Sequence, residues 1–171
     1  GKYQFRPPLP FIPGKEAAGA VVALGDGVDG LVIGDRVMVQ VEHGAFAERI
    51  VTSARNCFPI PDKMSFEEAA AIGIAYQTAY LALVERANIQ VGETVLVTAA
   101  SGSVGIAAIQ LAKAMKCTVI AGLGTMSKAP FVNSNGADHI VDLSGNDLRN
   151  SIRNQVKNYL VGDVDVIIEM I

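Results

Sequence analysis

The chain has 171 residues, half of them hydrophobic and 18% charged, with 17 glycines and a net charge of −3. Such a length accommodates one ordinary domain or parts of two, and such a composition excludes a disordered chain. The weak negative charge gives no electrostatic ground for a nucleic-acid or anionic-membrane partner, and no apolar run reaches the roughly 18 residues that span a bilayer.

The two cysteines, Cys57 and Cys117, stand far apart and form no CxxC pair. Their spacing speaks against a disulfide framework or a structural zinc site, and both read as free thiols acting as small hydrophobes. No signal peptide is visible, but the chain opens at Gly1 rather than Met. Localisation is expected to be cytoplasmic, with a mitochondrial address left open because a targeting segment would precede Gly1.

Up to about residue 62, short apolar runs alternate with Gly and Pro. Ala20–Leu24, Arg36–Val41 and Phe46–Val51 each read as a short strand bounded by Gly25, Gly34 or Gly44. Runs at this spacing predict a small β barrel or sandwich. Helical signals begin at Ser65, which with Glu68 forms a capping box ahead of an Ala-rich stretch ending near Glu85. Asn88 and Gly92 close that segment.

An alternating pattern follows. Strands are predicted at Thr94–Thr98, Thr118–Ala121, His139–Val141 and Val164–Ile168, with helices at Ile106–Met115, Lys128–Asn135 and Asp147–Leu160 between them. Strands separated by helices at this spacing predict a parallel sheet with crossover helices, here an incomplete doubly wound one. The division expected is 1–73 for the β-rich domain and 74–171 for the domain of the parallel sheet.

The most informative stretch is Ala99-Ala100-Ser101-Gly102-Ser103-Val104-Gly105, between a predicted strand and a predicted helix. It has the spacing of G-x-G-x-x-G with Ala100 in the first place. Gly102 lets the backbone approach a pyrophosphate and Gly105 lets the helix pack closely. The free N–H groups of the helix start then hold the phosphate, and Ala100, Ser101, Ser103 and Val104 belong with the two glycines to the candidate cofactor-binding set.

Cofactor choice is read about 20 residues further on, where NAD sites place an acid on the ribose hydroxyls. The segment Ala121–Lys128 has no Asp or Glu. It offers the small Gly124, the hydroxyl of Ser127 and the ammonium of Lys128, a set that suits a 2′-phosphate and points to NADP(H).

These residues carry a family resemblance. Pro10-Phe11-Ile12-Pro13-Gly14-Lys15-Glu16-Ala17-Ala18-Gly19, Gly34-Asp35-Arg36-Val37, Gly44-Ala45-Phe46-Ala47-Glu48 and Ser65–Ala70 belong to it, as do Thr78-Ala79-Tyr80, the Ala99–Gly105 turn and Gly136-Ala137-Asp138-His139. In order and spacing they resemble the zinc-free quinone oxidoreductases (zeta-crystallin-like) of the medium-chain dehydrogenase/reductase superfamily. The resemblance implies an α/β chain: a partial GroES-like β-rich domain, then a partial Rossmann doubly wound parallel sheet. In complete members, strands precede the position of Gly1 and follow that of Ile171.

Zinc-dependent relatives have Gly-His-Glu where this chain has Gly14-Lys15-Glu16, and a protonated lysine cannot ligate. Their Cys before the T-x-Y turn is replaced by Ile74 or a neighbour. His43 and His139 lie at no metal spacing, so no metal is expected.

By the resemblance, NADPH transfers hydride to a small-molecule quinone or activated enone, which is then protonated by solvent or a nearby hydroxyl. The nicotinamide neighbour is Thr78. Tyr3, in a Gly-x-Tyr segment, lines the cofactor or substrate cleft in similar proteins, and Thr78 and Tyr3 are the candidate catalytic residues. Tyr76 and Tyr80 read as core packing. Leu143 stands where many NADPH-binding members have Tyr. Similar proteins dimerise through the distal Rossmann strands, and a homodimer is implied. An enoyl-thioester reductase and an NADPH-binding fragment without turnover remain alternatives.

Overall fold

The computed structural model describes residues 6–159 and 163–170. The chain divides into two compact units, Gly1–Ile74 and Ala75–Ile171.

The first unit holds a three-stranded antiparallel sheet in the order β1 (Glu16–Ala20), β2 (Arg36–Gln40), β3 (Cys57–Pro59). Its register runs from Glu16 opposite Gln40 to Ala20 opposite Arg36. The strand expected at Ala20–Leu24 therefore lies four residues earlier. Pairing reaches only one residue into the rest of the apolar run, with Val21 N–H bonded to Asp35 O and Gly34 N–H to Val21 O. Beyond that pair the chain turns at Gly34, φ 99°, ahead of β2, and Val22 and Leu24 are exposed.

The strand expected at Phe46–Val51 does not form. Ala45 N–H bonds Gly14 O and Phe46 N–H bonds Pro13 O, and the Phe46 ring covers the bare Cα of Gly14. Local alternation was overridden there by a tertiary contact.

Helix α1 (Phe66–Tyr80) starts at the expected capping box. Ser65 Oγ accepts from Glu68 N–H at 3.1 Å, and the Glu68 carboxylate accepts from Ser65 N–H at 2.9 Å. A π-helical segment, Leu81–Arg86, continues it. Asn88 and Gly92, both at positive φ, then turn the chain into β4.

The second unit is a four-stranded parallel sheet in the order β6 (His139–Asp142), β5 (Thr118–Leu123), β4 (Thr94–Val97), β7 (Val166–Ile168). Helices α2 (Ser103–Ala114), α3 (Ala129–Ser134) and α4 (Leu148–Lys157) connect the strands. All four residues of β4 are buried, as a strand covered on both faces requires.

Val95 and Val97 face a cluster with Ala107, Ala108 and Ile109 of α2 and Val132 of α3. Leu96, Ile120 and Val141 face Val156 and Ile152 of α4. Helices thus cover opposite faces of a doubly wound sheet, as the strand-helix alternation predicts. No helix among the described residues is long and apolar enough to cross a membrane.

Two expectations change at residue level. Helix α2 begins at Ser103 rather than Ile106, because Gly102 (φ −79°, ψ 169°) already serves as its N-cap and Gly105 sits in its first turn. Tyr76 does pack on the core and bonds Gln110 Oε1 through its hydroxyl, but Tyr80 is 50% exposed.

Candidate functional site

The turn between β4 and α2 is built at the carboxyl ends of the parallel strands. Its first residue, Thr98, is buried, and Ala99 takes φ 45°, a conformation that a Cβ disfavours by about 1–2 kcal/mol. Gly102 N–H bonds back to Ala99 O at 2.9 Å, and Ala100 N–H bonds Gly122 O on β5 at 3.2 Å. Ile106 N–H to Gly102 O, 2.9 Å, is the first bond of the α2 ladder. The amides of Ser103, Val104 and Gly105 thus precede the ladder, in the part of a helix whose N–H groups carry partial positive charge.

The two glycines of the turn are required for different reasons. A Cβ on Gly105 would lie 2.6 Å from Ala100 O and 2.7 Å from Ala99 O, so any side chain there pushes the helix off the turn. Gly105 is explained by packing alone. Gly102 is not: its dihedrals suit any residue, and a Cβ would meet only Ala99 O, at 3.3 Å. Gly102 is exposed. Apart from that one backbone oxygen, no atom lies within 4 Å of where its Cβ would be.

Gly124, Ser127 and Lys128 lie just beyond β5, the strand next to β4, and all three are exposed. Ser127 and Lys128 belong to a short 3-10 turn, Met126–Lys128. Because β4 and β5 run parallel, this segment and the Ala99–Gly105 turn occupy the same edge of the sheet. Ala100 is buried, Ser101 and Val104 are half-buried and Ser103 is exposed. Leu143, after β6, packs directly over Gly122, where a Cβ would be 2.6 Å from its Cδ1.

Thr78 is exposed on α1, two residues before its end. Tyr3 lies outside the described residues.

At the position of the zinc-ligating histidine of relatives, Lys15 pairs with Glu42 at 3.0 Å. Glu16 accepts from Ile74 N–H at 2.6 Å. Among the described residues no group of three or more His, Cys, Asp or Glu could hold a metal ion. His43 packs edge-on to Phe11, and His139 stacks on Tyr159 with ring centres 4.8 Å apart. Burial raises the pKa of both thiols, and for Cys117 the Glu93 carboxylate adds to it. An open apolar pocket of about 510 Å³ beside Pro7, Phe11, Ile12 and His43 lies in the first unit and brings no cluster of chemical groups together.

The family motif Gly136-Ala137-Asp138 proves to be a brace. Lys113 from α2 reaches both Asp138 oxygens at 2.8 Å, and Asp138 also accepts from Val119 N–H at 2.8 Å. Burial pushes the Asp138 pKa up, but the Lys113 ammonium and the Val119 amide outweigh it and hold the carboxyl below its ordinary value.

Two further residues of the turn carry no sequence signal. Nothing in the run Val97-Thr98-Ala99 marks Ala99 as left-handed or Thr98 as bonded across the sheet. Both follow from strand order, which only the folded chain defines.

Fold and turn together define a GroES-like β unit joined to a Rossmann sheet. Residues 1–62 match the alcohol dehydrogenase GroES-like domain and residues 103–171 match the zinc-binding dehydrogenase family. The chain belongs to the medium-chain dehydrogenase/reductase superfamily.

It is 40% identical to the Mus musculus quinone oxidoreductase-like protein 2 over 172 residues, covering 100% of this chain and 48% of that one. The Escherichia coli quinone oxidoreductase complexed with NADPH superposes with a TM-score of 0.81 at 33% identity, over 90% of this chain and 48% of that one. The CurK enoyl reductase superposes with a TM-score of 0.81 at 33% identity, over 94% and 47%. The chain thus spans about half the length of the relatives it matches.

Proposed function

We propose that this chain carries the dinucleotide-binding part of an NADPH-dependent reductase that passes hydride to a quinone or activated enone without a metal. The observation that carries the reading is Gly102. It is a bare, exposed residue at a helix start, with no conformational need for glycine and little packing need. Room for a pyrophosphate explains it.

When bound, the dinucleotide supplies the hydride, and the chain's own residues hold and orient it. Gly102 and the amides of Ser103, Val104 and Gly105 would hold the pyrophosphate, with Ala100 and Ser101 shaping the turn. Ser127 and Lys128 would bind the 2′-phosphate at the end of β5, with Gly124 leaving room beside them. No carboxylate occupies residues 121–128 to repel it. Thr78 is assigned to the nicotinamide and Tyr3 to the cleft. Lys15, paired with Glu42 where a ligand would stand, supports zinc independence.

The acceptor reading rests on similarity to the quinone oxidoreductases. Similarity to the CurK enoyl reductase, at the same TM-score, supports an enoyl-thioester as the second acceptor class.

The test is calorimetric titration of the chain and its Gly102→Ala variant with NADPH and NADH. The chain should prefer NADPH. Gly102→Ala should lose at least about tenfold in affinity while unfolding within a degree or two of the unsubstituted chain. Equal binding of NADPH by both would remove the phosphate role of the turn.

A further inference from the structure

The strand order β6-β5-β4-β7 means that the chain leaves β4 in one direction, through β5 and β6, and returns to the other side of β4 as β7. The crevice between β4 and β7 is the switch point of the sheet, where open α/β sheets take their ligands. Thr98, the residue at which β4 becomes the turn, spans that crevice.

Its amide donates to Ile168 O at 3.0 Å, its hydroxyl donates to the same carbonyl at 3.3 Å, and the hydroxyl accepts from Met170 N–H at 3.1 Å. On the other side, Ala100 N–H is bonded to Gly122 O of β5. The turn is therefore held from both neighbouring strands, and only the β7 side uses a side chain.

Packing does not require that hydroxyl. Thr98 is 8% exposed and directly follows the apolar run Val95-Leu96-Val97 of β4, where Val has the same shape and a higher apolar gain. What the hydroxyl adds is a fixed separation between the exits of β4 and β7. It also helps to hold Ala99, the next residue, at its disfavoured φ of 45°.

We propose that Thr98 is a positioning residue for the dinucleotide: it sets the width of the switch-point crevice and the orientation of the Ala99–Gly105 turn, acting through the backbone and not by contact with the reacting atoms. This role rests on the dinucleotide reading above. It separates the two halves of the ligand. The 2′-phosphoadenosine half meets the β5 side at Ser127 and Lys128, whereas the remainder must cross the crevice that Thr98 spans.

The experiment compares the unsubstituted chain, Thr98→Val and Thr98→Ser. Each is titrated with NADPH and with adenosine 2′,5′-bisphosphate, which carries the 2′-phosphoadenosine half alone. Thr98→Val should bind NADPH about tenfold or more weakly and the bisphosphate within about twofold of the unsubstituted chain. Thr98→Ser, which keeps the hydroxyl, should restore NADPH binding.

Unchanged NADPH affinity in Thr98→Val overturns the role. So does an equal loss of both ligands, which would mark a general loss of structure. Should Thr98→Val not fold, exchange of the Met170 amide in the unsubstituted chain decides: NADPH should slow it more than the bisphosphate does, and equal slowing overturns the role. Failure of the unsubstituted chain to bind either ligand would instead defeat the dinucleotide reading, and Thr98 with it.

Discussion

At the scale of single residues, the candidate site depends on which atoms are absent as much as on which are present. The fold needs Gly105 to bring α2 onto the turn, whereas a Cβ on Gly102 would press on a single backbone atom, Ala99 O at 3.3 Å. Lys128 can be tested separately. Its side chain makes no hydrogen bond or ion pair among the described residues, so truncating it removes little from the fold. Lys128→Ala should weaken NADPH binding by about 1.5–3 kcal/mol, the worth of a charge-assisted contact, and leave NADH nearly unchanged. Equal loss for both cofactors in a calorimetric titration would sink the assignment. Lys128 and Gly102 can be proposed from the sequence because the signals that mark them, a glycine spacing and a missing acid, are local. Thr98 was not legible, since its partners Ile168 and Met170 lie about seventy positions away in the chain.

At the scale of elements, the Lys113–Asp138 pair shows a motif working as a brace. Asp138 joins the C-terminal turn of α2 to the backbone of β5, at the start of β6. Its folded pKa lies below the ordinary value, so its carboxylate stabilises the fold at pH well above about 3.9. That contribution is lost as pH falls through the depressed value. Asp138→Asn should therefore lower the unfolding temperature at pH 7 and leave it close to that of the unsubstituted chain near pH 2. A constant difference across that range, followed by calorimetry or circular dichroism, would show that the carboxylate charge is not what matters.

The strands of the first unit were read least well, and for one reason. The run Val21-Val22-Ala23-Leu24 and the run Phe46–Val51 have strand-like residues, but a strand exists only where a partner offers its backbone. Their partners turn away at Gly34 or are replaced by the loop contacts of Gly14. Helix α1 was legible because Ser65 and Glu68 satisfy its first amides locally.

At the scale of the whole molecule, the two units differ in what they bury. The buried apolar residues of the first unit are few, among them Val37, Val39, Ala45 and Ala69. The second unit has a continuous cluster on one face of its sheet and a smaller one on the other. At about 25 cal/mol for each Å² of apolar surface removed from water, the second unit holds most of the stabilisation. Native-state hydrogen exchange should find the amides of β4 and β5 protected longest and those of β1 and β2 opening at lower free energy. Matching protection in the two sheets would contradict this ordering.

The sequence by itself determined the class of fold, the alternation of β4 through β7 with their helices, the position of the phosphate-type turn and the lack of an acid after β5. Each of these is encoded by neighbours in the chain: hydrophobic period, capping residues, glycine spacing. Only the tertiary structure decided that β7 returns beside β4 and that Thr98 spans the crevice between strand exits. Those depend on which distant backbone lies alongside, and hydrogen bonds and steric contact act only once the chain has brought it there.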